Sequence, residues 1–180
     1  LALIDELTNV ANRRQFNITL DKEIHYATRD RKPLSLIFLD IDSFKSYNDT
    51  LGHQSGDLCL IQVINAIRKR LRRGGDEIAR YGGDEFCIIL PDTPIQSAVD
   101  TAESLRILVQ DLGIPHPASN AAKCVTISIG VACWDRENDE SSSSLVLRAD
   151  STLYRAKQAG RNRVLGHDPS AWIKPSSVPK

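Results

Sequence analysis

The sequence predicts an α+β sandwich, helices packed on a mainly antiparallel sheet. Three observations predict it. Helix-periodic and strand-like stretches follow one another in the order α-β-α-β-β-α-β-α. One run, Leu34 to Ile41, is apolar almost throughout, as in a central strand buried on both faces. A Gly-Gly pair, Gly82-Gly83, joins two further strand-like runs, which is a hairpin signal. The order relates the chain to the ferredoxin-like group, and 180 residues suit one domain with a real core.

Phe16, Leu20, Ile24 and Ala27 recur at helical spacing and give a first amphipathic helix, ended before Pro33. The buried strand follows, polar only near its end at Asp40. Leu60, Ile64, Ile67 and Leu71 form the stripe of a second long helix, finished by Arg72-Arg73-Gly74-Gly75. The hairpin strands run from about Glu77 to Tyr81 and from Glu85 to Leu90. Ala98, Ala102, Leu105, Val109 and Leu112 mark another helix, Cys124 to Cys133 a strand, and Leu145 to Ala159 the last helix. Val164-Leu165 is read as an edge strand. The stretches 115–123 and 135–144 are polar loops. The domain is taken as 1–165, and 166–180, with Pro169, Pro175 and Pro179, as a disordered tail.

Composition excludes some functions. Lys plus Arg and Asp plus Glu number 23 each, so a nucleic-acid polymer or an anionic membrane is not the expected partner. A local phosphate site remains compatible with that balance. Cys59, Cys87, Cys124 and Cys133 form no C-x-x-C pair and are read as reduced thiols of a cytoplasmic protein. No apolar run reaches the length of a membrane span and no signal peptide is visible. The chain lacks methionine and opens at Leu1, so it is read as a piece of a longer protein with an upstream sensor or anchor.

The chemistry concentrates where the buried strand ends. Asp40 and Asp42 stand there, and Asp84 and Glu85 follow the glycine pair. If the hairpin pairs beside the central strand, Asp40 and Asp84 converge. Two carboxylates and a backbone carbonyl are the hard oxygen ligands that Mg²⁺ prefers, with phosphates filling other positions. Gly82 and Gly83 allow a bulky phosphate close to the backbone. Asp42 is expected to face away from Asp40 and to have a structural hydrogen-bonding role. Pattern alone leaves open a surface hairpin with solvated acids. Gly74-Gly75-Asp76-Glu77 nearly duplicates Gly82-Gly83-Asp84-Glu85, but it follows a helix end and not a strand, so the chemistry is placed at the second copy.

Arg80-Tyr81-Gly82-Gly83-Asp84-Glu85-Phe86 resembles the signature of the GGDEF family of diguanylate cyclases. Asp5-Glu6-Leu7-Thr8-Asn9-Val10-Ala11-Asn12-Arg13-Arg14 resembles the family's opening motif, D-x-L-T-x-L-x-N-R-R, departing only at Val10. Phe38 to Lys45, Asn48-Asp49 with Gly52 to Asp57, Ser128 to Val131, Ala149-Asp150 and Tyr154 to Asn162 match further blocks, in order, from about Asp5 to Val164. The fold this implies is the nucleotide-cyclase palm-like GGDEF fold. The implied activity is the Mg²⁺-dependent (Mn²⁺ as an alternative) condensation of two GTP molecules into cyclic di-GMP and two pyrophosphates.

The resemblance also implies roles. Asp40, the Ile41 carbonyl and Asp84 would hold the metal, with Glu85 as a further acid. Asp84 would help deprotonate the ribose 3′-hydroxyl, a metal-bound hydroxide being the alternative. Asn48 and Asp57 would read guanine, and Leu7 would line its pocket. Ser43, Phe44 and Lys45 would contact the β- and γ-phosphates, as would Lys157 and Arg161, one helical turn apart. Helix caps, solvated basic ends and ordinary core are the plainer roles of these residue types. Arg73 and Asp76 have the form R-x-x-D at the family's spacing and look like the inhibitory product site. Catalysis would need a homodimer of domains, formed through the missing upstream segment. The competing readings are a catalytically weak module that holds GTP or cyclic di-GMP as a signalling receptor, and a cyclase acting on ATP. The signature shows none of the changes that mark degenerate members, and ATP would need a base-reading pair other than Asn48 and Asp57.

Overall fold

A stretch as apolar as Leu34–Ile41 must be screened from water on both faces, and it forms the middle strand of a five-stranded sheet. The computed structural model describes residues 2–71 and 74–169. In chain order the elements are α1 (Arg13–Asp30), β1 (Leu34–Ile41), α2 (Phe44–Leu51), α3 (His53–Arg70), β2 (Glu77–Gly82), β3 (Glu85–Pro91), α4 (Ile95–Asp111), β4 (Ile127–Cys133), α5 (Ser142–Gln158) and β5 (Val164–Gly166). The sheet order is β2-β3-β1-β4-β5, antiparallel except for the β4–β5 pair. The α+β sandwich with a mainly antiparallel sheet is what the sequence predicts.

Strand alternation sorts the core into two layers. Leu34, Leu36 and Phe38 pack with Phe16 and Leu20 of α1 and with Leu145, Ala149 and Leu153 of α5. Ile37, Leu39 and Ile41 face Leu60, Val63, Ile64 and Ile67 of α3 and Ala98, Ala102 and Leu105 of α4. The α5 layer lies close to the sheet. A Cβ added to Gly130 of β4 would stand 2.2 Å from the Leu153 nitrogen and 2.3 Å from the Ala149 oxygen. Only glycine lets the helix backbone rest there.

Several boundaries differ from the sequence reading. The second long helix is α3, which begins at His53, and an additional short helix, α2, precedes it and stops at Gly52, whose φ of +89° no right-handed helix accommodates. Leu71 is not in the helix but caps it in extended conformation, so Gly74 lies beyond the cap. At the Gly82-Gly83 turn only Gly83 takes a positive φ, +50°. The strand expected from Cys124 starts at Ile127, because Cys124 instead pairs back with Pro115 in an isolated bridge. Of the expected tail, Gly166 belongs to β5 and the His167 amide donates to the Val131 carbonyl at 2.7 Å; residues 170–180 lie outside the described residues.

Candidate active site

Antiparallel pairing places the end of β1 against the start of β3, with Asp40 opposite Glu85. The Ile41 amide donates to the Asp84 carbonyl at 3.4 Å, which brings the Asp84 charge close enough to act on the Asp40 carboxyl. Asp40 is 7% exposed. Lys157, arriving on the last turn of α5, donates from Nζ to Asp40 Oδ2 at 2.5 Å. Burial first and the Asp84 charge second push the Asp40 carboxyl up to about 7, while Lys157 pulls it down. Burial, then Asp150 and Asp84, likewise raise Glu85 against Lys157 and Arg13. Carboxylates crowded this way beside a single ammonium are short of positive charge. No cluster of three or more His, Cys, Asp or Glu side chains suited to a metal occurs among the described residues, and a cation here would draw on two carboxylates and main-chain carbonyls.

Asp42 does not face away from Asp40. Its carboxylate accepts from Ser128 Oγ at 2.6 Å and Thr126 Oγ1 at 2.7 Å, and Ser128 is the direct cross-strand neighbour of Asp40. Residues two apart share a face of a strand, so the two acids lie on one side of the sheet and diverge along it. The expected structural hydrogen-bonding role of Asp42 is what its 1% exposure and these bonds describe. Asp42 Oδ2 also accepts from the Asn162 amide at 3.0 Å. There the chain turns through Gly160, Arg161 and Asn162 with φ of +117°, +62° and +45°. Arg106 of α4 donates to Asn162 Oδ1 at 2.9 Å, and Asn162 Nδ2 donates to Gln110 at 3.1 Å. Arg161 is therefore not one helical turn beyond Lys157 on a shared helix face, as expected: α5 ends at Gln158, and Arg161 leaves a turn held by Asp42, just past β1, and by α4.

On the other side of Asp42 the chain enters α2 through Ser43, whose φ is +54°. Ser43, Phe44 and Lys45 supply the first amides of that helix, and Lys45 is exposed. Asn48 lies against α3: a Cβ on Gly56 would come within 1.8 Å of Asn48 Oδ1, so the glycine makes room for the amide. That Oδ1 is buried without a protein hydrogen-bond partner among the described residues. Asp57 is exposed on the first turns of α3, next to Gly56. Leu7 is partly buried against the same core layer as Phe44. It is held there by a tight loop in which Thr8 donates to Asp5 Oδ2 from its amide, 2.9 Å, and its hydroxyl, 2.5 Å. Arg80 donates from Nη1 to Asp5 Oδ1 at 3.1 Å and from Nε to the Gly83 carbonyl at 2.9 Å, tying this loop to the hairpin.

Asp76 precedes β2 at the far end of the hairpin from Gly82 and Gly83, roughly 20 Å along the strand. The fold keeps it apart from Asp40 and Asp84. Arg73 lies outside the described residues. One neighbour of the site went unread in the sequence: His116, in a stretch taken as a polar loop, is 1% exposed with Nε2 3.1 Å from the Ser43 carbonyl. Its flanking prolines, Pro115 and Pro117, were the only local hint.

Comparison with known proteins agrees with this geometry. The family model described as "Diguanylate cyclase, GGDEF domain" matches residues 2–163. The chain is 40% identical over 168 residues to the response regulator PleD of Caulobacter vibrioides, covering 92% of this chain and 36% of PleD. It is 39% identical over 163 residues to the diguanylate cyclase DgcP of Pseudomonas aeruginosa, covering 91% of this chain and 24% of that protein. It therefore spans about a third or less of these curated relatives. Among solved structures, the GGDEF domain of DgcB from Caulobacter crescentus in complex with c-di-GMP superposes with a TM-score of 0.84 at 36% identity, over 93% of this chain and 94% of that one. A family match across nearly the whole described chain, joined to relatives of this identity, establishes that the chain belongs to the GGDEF diguanylate cyclase family.

Proposed function

We propose that the chain is a cyclase domain that condenses two GTP molecules into cyclic di-GMP with release of two pyrophosphates. The observation that carries this reading is the Asp40–Asp84 pair, brought together at the end of β1 and the start of β3 with Lys157 as near counter-charge. Asp40, Asp84 and the Ile41 carbonyl suit a hard divalent cation, Mg²⁺ or Mn²⁺, whose charge would relieve the crowding that raises the Asp40 carboxyl. Bound there, the ion would stabilise negative charge developing on the α-phosphate.

The chain's own groups supply recognition and alignment. Asn48, with its buried acceptor, and Asp57 take the guanine edge, and Leu7 contributes an apolar wall. The first amides of α2 at Ser43, Phe44 and Lys45 hold the β- and γ-phosphates together with Lys157 and Arg161. Lys157 must leave Asp40 to do so, exchanging a carboxylate for phosphate oxygens. Gly82 and Gly83 keep the turn free of side-chain bulk, and Glu85 adds acidity beside Asp40. Asp84 accepts the proton of the ribose 3′-hydroxyl. One domain with one GTP carries half of the reaction. Two copies facing each other complete it: each 3′-oxygen attacks the α-phosphorus of the partner's GTP as the bond to pyrophosphate breaks. An upstream segment of the longer protein brings the two copies together, in the cytoplasm. Arg73 and Asp76 form a separate product site that restrains the dimer.

Incubation of the protein with GTP or ATP plus Mg²⁺, with products identified by mass spectrometry, tests the reading. Cyclic di-GMP from GTP alone is expected. Binding of GTP without turnover at any protein concentration would overturn it in favour of a receptor.

A further inference from the structure

A buried histidine that takes no part in the chemistry above stands behind the start of α2. The stretch after α4 folds back on itself: the Val125 amide donates to the Ile114 carbonyl at 2.8 Å and the His116 amide to the Lys123 carbonyl at 2.9 Å. This carries the His116 side chain inward to 1% exposure, with Nε2 3.1 Å from the Ser43 carbonyl. A carbonyl only accepts, so Nε2 is the donor in this bond. The other ring nitrogen, Nδ1, is buried and has no hydrogen-bond partner among the described residues. Leucine or phenylalanine would fill the same space without burying an unpaired polar atom. The imidazole is therefore costly as packing and has to be explained by its bond to Ser43.

Ser43 is where such a bond matters. Its φ of +54° is a conformation that a serine seldom adopts unaided, and it is held only where the surroundings enforce it. The Ser43 carbonyl receives the Tyr47 amide at 3.0 Å and the His116 imidazole at 3.1 Å. In a trans peptide the carbonyl of one residue and the N–H of the next point in opposite directions. Fixing the Ser43 carbonyl therefore fixes the Phe44 N–H. Two ring contacts brace the arrangement. Tyr47 meets His116 edge-on at 5.1 Å, and Phe44 stacks on Tyr47 at 6.1 Å.

We propose that His116 is a positioning residue for nucleotide phosphate: by holding the Ser43 carbonyl it aims the Phe44 N–H at the phosphates. This rests on the nucleotide-site reading given above. The test measures binding of GTP and of GMP, both with Mg²⁺, by calorimetry for the wild type, His116→Leu, His116→Asn and His116→Gln, beside each protein's thermal midpoint. GMP lacks the β- and γ-phosphates and reports the rest of the site. His116→Leu is expected to bind GTP about five- to tenfold more weakly, the worth of one well-placed hydrogen bond, with GMP unchanged. His116→Gln, whose amide N–H reaches about as far as Nε2–H, is expected to keep most of the wild-type preference for GTP over GMP. The shorter His116→Asn is expected to lose it. Equal loss of GTP and GMP affinity, or an unchanged ratio in His116→Leu, overturns the proposal. If His116→Leu does not fold, equal ratios in the Asn and Gln variants overturn it. A wild type with no preference for GTP over GMP refutes the nucleotide-site reading itself, a result distinct from either.

Discussion

Replacing Asp40 with asparagine should stabilise the metal-free, nucleotide-free protein at alkaline pH and lose that advantage on acidification. The Asp40 carboxyl stands at about 7 against an ordinary 3.8. The sign follows from linkage. A carboxyl whose folded pKa is raised contributes stability that is fully present below the unfolded value, near 3.8, and is lost as pH rises through about 7. At pH 8 both states are ionised and the contribution is nearly nil. At pH 5 the folded group is protonated and the unfolded one is not, which is worth about 2–3 kcal/mol. The amide of the Asp40→Asn variant cannot titrate, so the stability difference between variant and wild type should shrink by about 2–3 kcal/mol from pH 8 to pH 5. Loss of the Lys157 bond offsets part of the variant's gain at pH 8. The assay is urea unfolding of both proteins at several pH values in the presence of a chelator. Parallel stability curves between pH 5 and pH 8 would refute the reasoning and remove the charge crowding on which the cation site rests.

Gly130→Ala should cost about 3 kcal/mol or more, read as a large drop in thermal midpoint, since its Cβ would stand 2.2 Å from the α5 backbone. Asp57→Ala should weaken GTP binding by about 1–3 kcal/mol and narrow the preference over ATP, because the guanine N–H groups lose their acceptor; unchanged selectivity in calorimetry would move base recognition elsewhere. Arg73→Ala should weaken cyclic di-GMP binding by roughly 1.5–3 kcal/mol while leaving initial rates almost unchanged; inhibition curves identical to wild type would leave Arg73 a solvated charge. Specific activity should rise with protein concentration, since two domains must meet, and a concentration-independent value from a monomer would contradict the two-domain reaction.

Much of this was legible because the residues concerned announce themselves through patterns of short range. β1 declared its position by being apolar on both faces, and the Asp40–Asp84 encounter needed only the inference that the glycine hairpin lies beside it. What escaped depended on partners far away in sequence. The structural role of Asp42 was legible, but its direction and its partners Thr126 and Ser128, 84 and 86 residues away, were not. The short helix α2 escaped because its 8 residues give too little length for a helical stripe to stand out. His116 belonged to a polar stretch whose inward fold is set by backbone bonds to Lys123 and Val125, which no periodicity encodes. Arg161 was noticed for its charge. The left-handed turn that carries it was not.

That turn has a consequence for how the chain tolerates change in length. Surface connections ordinarily absorb an inserted or deleted residue with little harm. The segment from Lys157 to Val164 is different, because both of its ends and its middle are tied. Lys157 is paired to Asp40, Val164 is registered against Ile129 in the parallel strand, and Asn162 is gripped from below by Asp42 and from the side by Arg106 and Gln110. One residue more or less would put a different amide over Asp42 and a different side chain where Arg161 now stands. The turn is thus a gauge block between helix and strand: side chains such as exposed Arg163 can be exchanged along it, but its residue count is fixed by the distance it spans.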